Sequence, residues 1–166
     1  MREGQEVLQI VVLDVESTGK ERGSDQIIEL CLRLGLEPEA ESRTWRIRPS
    51  VAIHPEAVAV HGITAESLVG CRTFPELVSE FLPLLSAAGI IVGYNVAFDL
   101  DMLQAELSRA GVPPLDLTGK QIIDVLRLWH HLEPRTLVAA HRKFCGADLT
   151  MAHQATADVA ATARVF

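Results

Sequence analysis

The chain is short of cysteine, short of basic side chains and without a long apolar run, and each shortage removes a class of protein. Cys31, Cys71 and Cys145 are odd in number, widely separated and nowhere spaced as CxxC. They make neither a disulfide framework nor a zinc site, and read as reduced, mostly buried thiols. Lys and Arg total 15 against 22 Asp and Glu, a net charge of −7. That is the wrong sign for a protein that grips long nucleic acid through many phosphates. It leaves room for an enzyme that handles a strand end, because bound divalent cations cancel acidic charge locally. Met1 to Glu6 is polar, and the apolar run behind it, Val7 to Leu13, is interrupted by Gln9. Neither a signal peptide nor a membrane span fits, so a cytoplasmic protein with no membrane partner is expected. No repeat, low-complexity segment or linker interrupts the 166 residues, whose 48% apolar and 22% charged content suits a single domain over residues 1–166.

What is present reads as a mixed α/β fold. Val7 to Leu13 is a short strand buried on both faces, followed by a Ser-Thr-Gly turn. Gln26 to Leu36 places Ile28, Leu30, Leu32 and Leu34 on one side at period two, and Arg43 to Arg48 alternates around Trp45 and Ile47, which together suggest an antiparallel meander. A short helix is expected around Glu56 to Val60. Thr73 and Glu76 form a T-x-x-E capping box, with Pro75 in the first turn, opening a helix to about Ala87 that Pro83 should kink and Gly89 should stop. Ile90 to Gly93 is a second buried strand, and Asn95 is placed to cap a helix to about Ala110. Gln121 to Val125 reads as a strand, Leu126 to His131 as a helical turn, and Arg135 to Phe144 and Thr156 to Phe166 as helices. The order predicts a mixed central sheet flanked by helices on both faces.

Three clusters stand out chemically. Asp14 and Glu16 are two apart at the end of a buried strand, so they point to the same face, and their repulsion raises a pKa or costs stability unless a cation lies between them. Taken alone, the pair also fits solvated turn residues. Asp99 lies one turn after Asn95 at the start of a helix that follows a buried strand, on the rim where open sheets carry their sites, although helix-dipole stabilisation alone accounts for an acid there. Asp101, about 200° around the helix, reads as a solvated surface acid. His153 and Asp158 are five residues apart, about 140° on one helix, so His153 is expected in the loop before the last helix and Asp158 on its second turn. His54, His130, His131 and His141 have no acid partner that the sequence argues for and read as structural.

The order of these clusters is more informative than any one of them. DVESTG, HGIT, YNVAFD and H-x4-D resemble, in sequence and spacing from Val11 to Phe166, the motifs of the DnaQ-like 3′-to-5′ exonucleases of the DEDDh subtype. Within that family the similarity looks closest to the epsilon-type proofreading domains of bacterial DNA polymerase III and their stand-alone relatives. The resemblance implies a ribonuclease H-like fold and a metal-dependent enzyme releasing nucleoside 5′-monophosphates from the 3′ end of single-stranded or frayed DNA. An RNA-trimming enzyme of the same fold is the near alternative, and a non-catalytic nucleic-acid-binding adaptor domain a more distant one. Asp14, Glu16, Asp99 and Asp158 would hold two divalent ions, Mg2+ or Mn2+, and His153 would be the general base. Oxygen ligands suit such hard cations, and an imidazole with an ordinary pKa of about 6.5 can accept a proton from water near neutrality.

The same resemblance assigns nucleotide contacts to Thr18 and the backbone beside it at Val15, to Glu56 at the sugar 3′-hydroxyl, and to His61. Phe98 is a candidate stacking surface for a base. Each has an ordinary alternative: Glu56 as a solvated helix-start acid, His61 as a turn residue before Gly62, and Phe98 as core. The expected partner is a nucleic-acid 3′ end, with a DNA polymerase or another replication or repair protein as a second candidate. Two features depart from the family pattern. Ser17 stands where threonine is usual, and the chain ends eight residues after Asp158 without a polymerase-binding or clamp-binding tail, which suggests a stand-alone nuclease or one domain of a longer protein.

Overall fold

The computed structural model describes residues 9–149 and 154–165, and the chain divides into two compact units, Met1–Val125 and Leu126–Phe166. The first unit is built on a five-stranded mixed sheet in the order β3-β2-β1-β4-β5. Its strands are β1 (Ile10–Ser17), β2 (Ile27–Leu34), β3 (Ser42–Arg46), β4 (Ile90–Gly93) and β5 (Gln121–Asp124). β1, β2 and β3 form the expected antiparallel meander, while β4 lies parallel to β1 and β5 parallel to β4. Helices α1 (Pro55–His61), α2 (Phe74–Ala87) and α3 (Val96–Arg109) fill the connections.

β1 is longer than its apolar run. It continues through Asp14 and Glu16 to Ser17, because β2 supplies backbone partners along its whole length, pairing Asp14 with Cys31 and Glu16 with Glu29. The two acids therefore stand inside a strand and not in the turn after it. A register shift between Glu16 and Ser17 inserts an extra residue, and such a bulge reverses the alternation of faces. Ile27 accordingly joins the main core with Leu30 and Leu32, whereas Ile28, expected on the same side as those two, packs with Ile63 and Leu68 in a second cluster.

The main core lies between one face of the sheet and helices α2 and α3. Val11, Leu13 and Val15 of β1 meet Phe74, Leu77, Phe81 and Leu85 of α2 and Leu100, Leu103 and Leu107 of α3. Phe81 sits against both Phe74 and Trp45, with ring centroids 5.3 and 5.9 Å apart. The capping box forms as the sequence predicts: the Thr73 amide and hydroxyl both donate to Glu76 Oε2 at 2.7 Å. α2 continues through Pro83; that proline is exposed, where a carbonyl left without its helical partner can bond to water. Asn95 departs from its expected role. Its side chain makes no capping bond, and its backbone is left-handed at φ 62°, a conformation asparagine tolerates better than most residues. The amide of Asn95 instead donates to Asp124 Oδ1 at 3.0 Å.

The second unit holds α4 (Val125–Leu132), α5 (Leu137–Cys145) and α6 (Ala155–Val165). Thr136 caps α5 by accepting from the Ala139 amide at 3.1 Å, and Gly146, at φ 66°, ends it. His141 is buried and its Nδ1 lies 2.9 Å from the Ala147 carbonyl. The Lys143 ammonium stands 5.7 Å from the centre of the Trp129 ring and 3.1 Å from Glu133. All three cysteines are free, as expected of reduced thiols, and half-buried.

Candidate active site

β1 and α3 place the first three acids. Alternation along β1 turns Val11, Leu13 and Val15 into the core and leaves Asp14 and Glu16 on the opposite face. The parallel pairing of β1 with β4 ends at Val12, so beyond it the β1 backbone is unpaired on that edge. Asp99, on the first turn of α3, occupies the gap: its Oδ1 accepts the Val15 amide at 3.0 Å. The carboxylate thereby replaces the missing strand and is fixed beside the two acids of β1.

Burial dominates the electrostatics of this group. Asp99 is 4% exposed, and burial pushes its pKa up to about 6, with the Val15 hydrogen bond opposing and the charges of Asp14 and Glu16 adding to the rise. Burial also raises Asp14. Glu16 is raised by burial, by Asp14 and by its cross-strand neighbour Glu29, while His61 pulls it back. Glu29, which the sequence does not single out, is itself paired with Arg46 at 2.5 Å. Among the described residues no three His, Cys, Asp or Glu side chains converge closely enough to hold one ion between them. The chemistry of the set, hard oxygen donors whose charge burial disfavours, nevertheless suits a divalent cation.

Beside Glu16 opens a cleft of about 470 Å3, lined by Val15, Glu56, His61 and Phe98 among others. His61 is turned by the Ile63 amide, which donates to its Nδ1 at 3.0 Å. The proton therefore sits on Nε2, which is buried and has no partner among the described residues. Phe98 does two jobs, packing against the main core and lining the cleft. Glu56 is exposed on α1. Thr18 is fully buried, its hydroxyl donating to Asp25 Oδ1 at 2.9 Å and accepting the Gln26 amide at 3.0 Å. Asp101 is a solvated surface acid, as expected, and pairs with Arg22 at 2.8 Å.

Two of the expected site residues belong to the other end of the chain. Asp158 is on α6, in its first turn and not its second, and the backbone amide of Asp158 donates to the Gln154 carbonyl at 2.9 Å. His153 lies outside the described residues. One pairing has no counterpart in the sequence reading: His54 Nε2 is 3.2 Å from Asp25 Oδ1. The two residues are 29 positions apart in separate loops, and no periodicity or motif connects them.

A family model described as an exonuclease, of the RNase T type, matches residues 11–166. The chain belongs to the DnaQ-like 3′-to-5′ exonuclease family. The DNA polymerase III PolC-type of Staphylococcus aureus is 30% identical over 162 residues, which are 94% of this chain and 11% of that protein. This exonuclease chain thus spans about a tenth of the curated relatives it matches. Among solved structures, exonuclease I of Methylocaldum szegediense aligns with a TM-score of 0.66 at 24% identity, covering 95% of this chain and 40% of that one. A zinc-bound form of the E. coli ExoI–ssDNA complex aligns with a TM-score of 0.66 at 21% identity, covering 93% and 39%. At these identities the neighbours show the fold, the ribonuclease H-like α/β arrangement. Among the described residues no helix is long and apolar enough to cross a membrane.

Proposed function

We propose that residues 1–166 are a 3′-to-5′ exonuclease domain of the epsilon type, which hydrolyses the terminal phosphodiester of single-stranded or frayed DNA and releases nucleoside 5′-monophosphates. The observation that carries this reading is the Asp14, Glu16 and Asp99 group, three acids raised chiefly by burial and gathered beside a cleft of nucleotide size. A chain that has no use for a cation has no reason to keep such a group. Asp158, the fourth acid of the family pattern, completes the set of residues that would hold two divalent ions, Mg2+ or Mn2+. When bound, such ions lower the pKa of water and stabilise charge on the attacking and leaving oxygens.

The protein's own groups do the remaining work. His153 accepts the proton of the attacking water. Val15 is held by Asp99 and sets the height of the strand under the scissile nucleotide. His61 offers a fixed Nε2 donor, Glu56 an acceptor for the terminal sugar, and Phe98 an apolar face for the base. Recognition confined to the strand end accords with a net charge of −7, since few phosphates need to be neutralised. DNA is favoured because the similar proteins are a DNA polymerase and an exonuclease solved with single-stranded DNA. The first of these also supports a place beside a polymerase or other replication or repair protein.

Matched 5′-labelled DNA and RNA oligonucleotides, incubated with magnesium, manganese or chelator beside an Asp14→Ala variant, test the reading. Stepwise 3′ shortening, faster on DNA, that requires both the metal and Asp14 is expected. Shortening indifferent to both refutes it, and a preference for RNA moves the substrate assignment to RNA ends.

A further inference from the structure

We propose that His54, oriented by the buried carboxylate of Asp25, is a nucleotide-contacting residue that accepts a hydrogen bond from a hydroxyl of the 3′-terminal sugar. The inference rests on the exonuclease reading and adds a contact to it.

Asp25 is 2% exposed, and both of its oxygens are engaged. Oδ1 accepts the Thr18 hydroxyl at 2.9 Å and lies 3.2 Å from His54 Nε2, while Oδ2 accepts the Glu21 amide at 2.7 Å. Its carbonyl accepts from Arg109 of α3 at 2.7 Å, and the Arg22 carbonyl accepts from the same guanidinium at 3.0 Å. The loop carrying Asp25 is therefore tied to the helix that carries Asp99. Asp25 is buried and both its oxygens are already engaged within the protein, so it is a positioning residue.

His54 is placed differently. Its side chain is 63% exposed and lines the cleft together with Glu56, two residues on. Its backbone amide donates to the Thr18 carbonyl at 2.9 Å, so ring and main chain are both anchored to the same loop. A carboxylate can only accept, so the ring nitrogen that faces it, Nε2, is the one that carries the hydrogen, and a neutral imidazole is left with Nδ1 as an acceptor. Nδ1 has no partner among the described residues. The close approach depends on Gly19, since a Cβ there would collide with both the Asp25 carboxylate and the His54 ring.

The surroundings select the ligand group. Glu16, Glu21, Asp25 and Glu56 line the cleft against one lysine, Lys20, so a phosphate would meet more acids than bases while a hydroxyl donor would meet acceptors. At the end of a nucleic-acid strand the sugar carries such donors, a 3′-hydroxyl in DNA and a 2′-hydroxyl as well in RNA.

Calorimetric binding of AMP, 2′-deoxy-AMP, 3′-deoxy-AMP and 2′,3′-dideoxy-AMP to the full chain with magnesium tests the proposal. His54→Gln retains a donor near Asp25 but removes the Nδ1 acceptor, and the exposed position should tolerate the change. It is expected to weaken AMP and the one monodeoxy ligand that keeps the contacted hydroxyl about threefold to tenfold, the worth of one neutral hydrogen bond, and to leave the dideoxy ligand unchanged. Loss with 2′-deoxy-AMP identifies the 3′-hydroxyl as the group read, and loss with 3′-deoxy-AMP the 2′-hydroxyl. His54→Asn, whose side-chain oxygen falls near the position of Nδ1, should restore part of the loss. Equal weakening of all four ligands, no weakening, or a wild-type chain that binds none of them overturns the proposal. Hydroxyl-dependent binding by a chain that shortens no oligonucleotide would instead refute the exonuclease reading.

Discussion

Replacing Asp99 by asparagine should stabilise the metal-free protein and abolish its activity. Asp99 is 4% exposed, and its pKa stands at about 6 against an ordinary 3.8. The folded chain therefore holds the Asp99 proton more tightly than the unfolded chain does, and stability falls as pH rises from about 4 through about 6. Two pKa units at 1.36 kcal/mol each make the full cost of the charge about 3 kcal/mol at pH 7. An asparagine side chain carries no charge, yet its oxygen can still accept the Val15 amide, so the cost disappears and the contact stays. At 2 to 4 °C per kcal/mol for a chain of this size, the variant should melt about 6 to 12 °C higher than wild type in chelator at pH 7.5. The advantage should shrink toward zero at pH 4, where Asp99 is largely protonated in the folded chain and the charge cost is no longer paid. Magnesium should raise the wild-type melting temperature and narrow the gap, because a bound cation stabilises the folded carboxylate. Melting followed by circular dichroism at both pH values, with and without magnesium, reads all of this. A variant no more stable than wild type at pH 7.5 in chelator would refute the argument that the acids are an uncompensated charge cluster.

Two further outcomes follow from the same structure. His153→Ala should lower kcat by about 100-fold or more with the urea midpoint unchanged, as for loss of a general base; full activity in single-turnover kinetics would mean that another group accepts the proton. Thr18→Val removes the donor to Asp25 and the acceptor for the Gln26 amide at a fully buried position, and should cost about 1 to 3 kcal/mol in urea titration. An unchanged midpoint would show that the loop around Asp25 is not held through this hydroxyl.

The acids at the site can be read from the sequence because each follows from a local rule. Two-residue spacing on a strand puts Asp14 and Glu16 on one face, and the position of Asn95 at the head of a helix locates Asp99 a turn into it. The extent of β1 is hidden because its last residues have no apolar signal of their own; they are strand because β2, ten residues later, pairs with them. The bulge between Glu16 and Ser17, which sends Ile28 to a different cluster from Leu30, likewise arises between strands. By residue type Asn95 reads as a side-chain cap, whereas a left-handed backbone decides its role. His54 reads as structural because its acid partner comes from another loop. The contact exists through the close approach over Gly19, a property of the tertiary fold.

The central claim is hydrolytic release of the terminal nucleotide, and it is tested most directly by mass spectrometry of the products formed from a DNA oligonucleotide in H2(18)O. The account predicts nucleoside 5′-monophosphates carrying one 18O on the phosphate, released one at a time from the 3′ end only when divalent metal is present. Nucleoside 3′-monophosphates, internal fragments or unlabelled phosphate would contradict it.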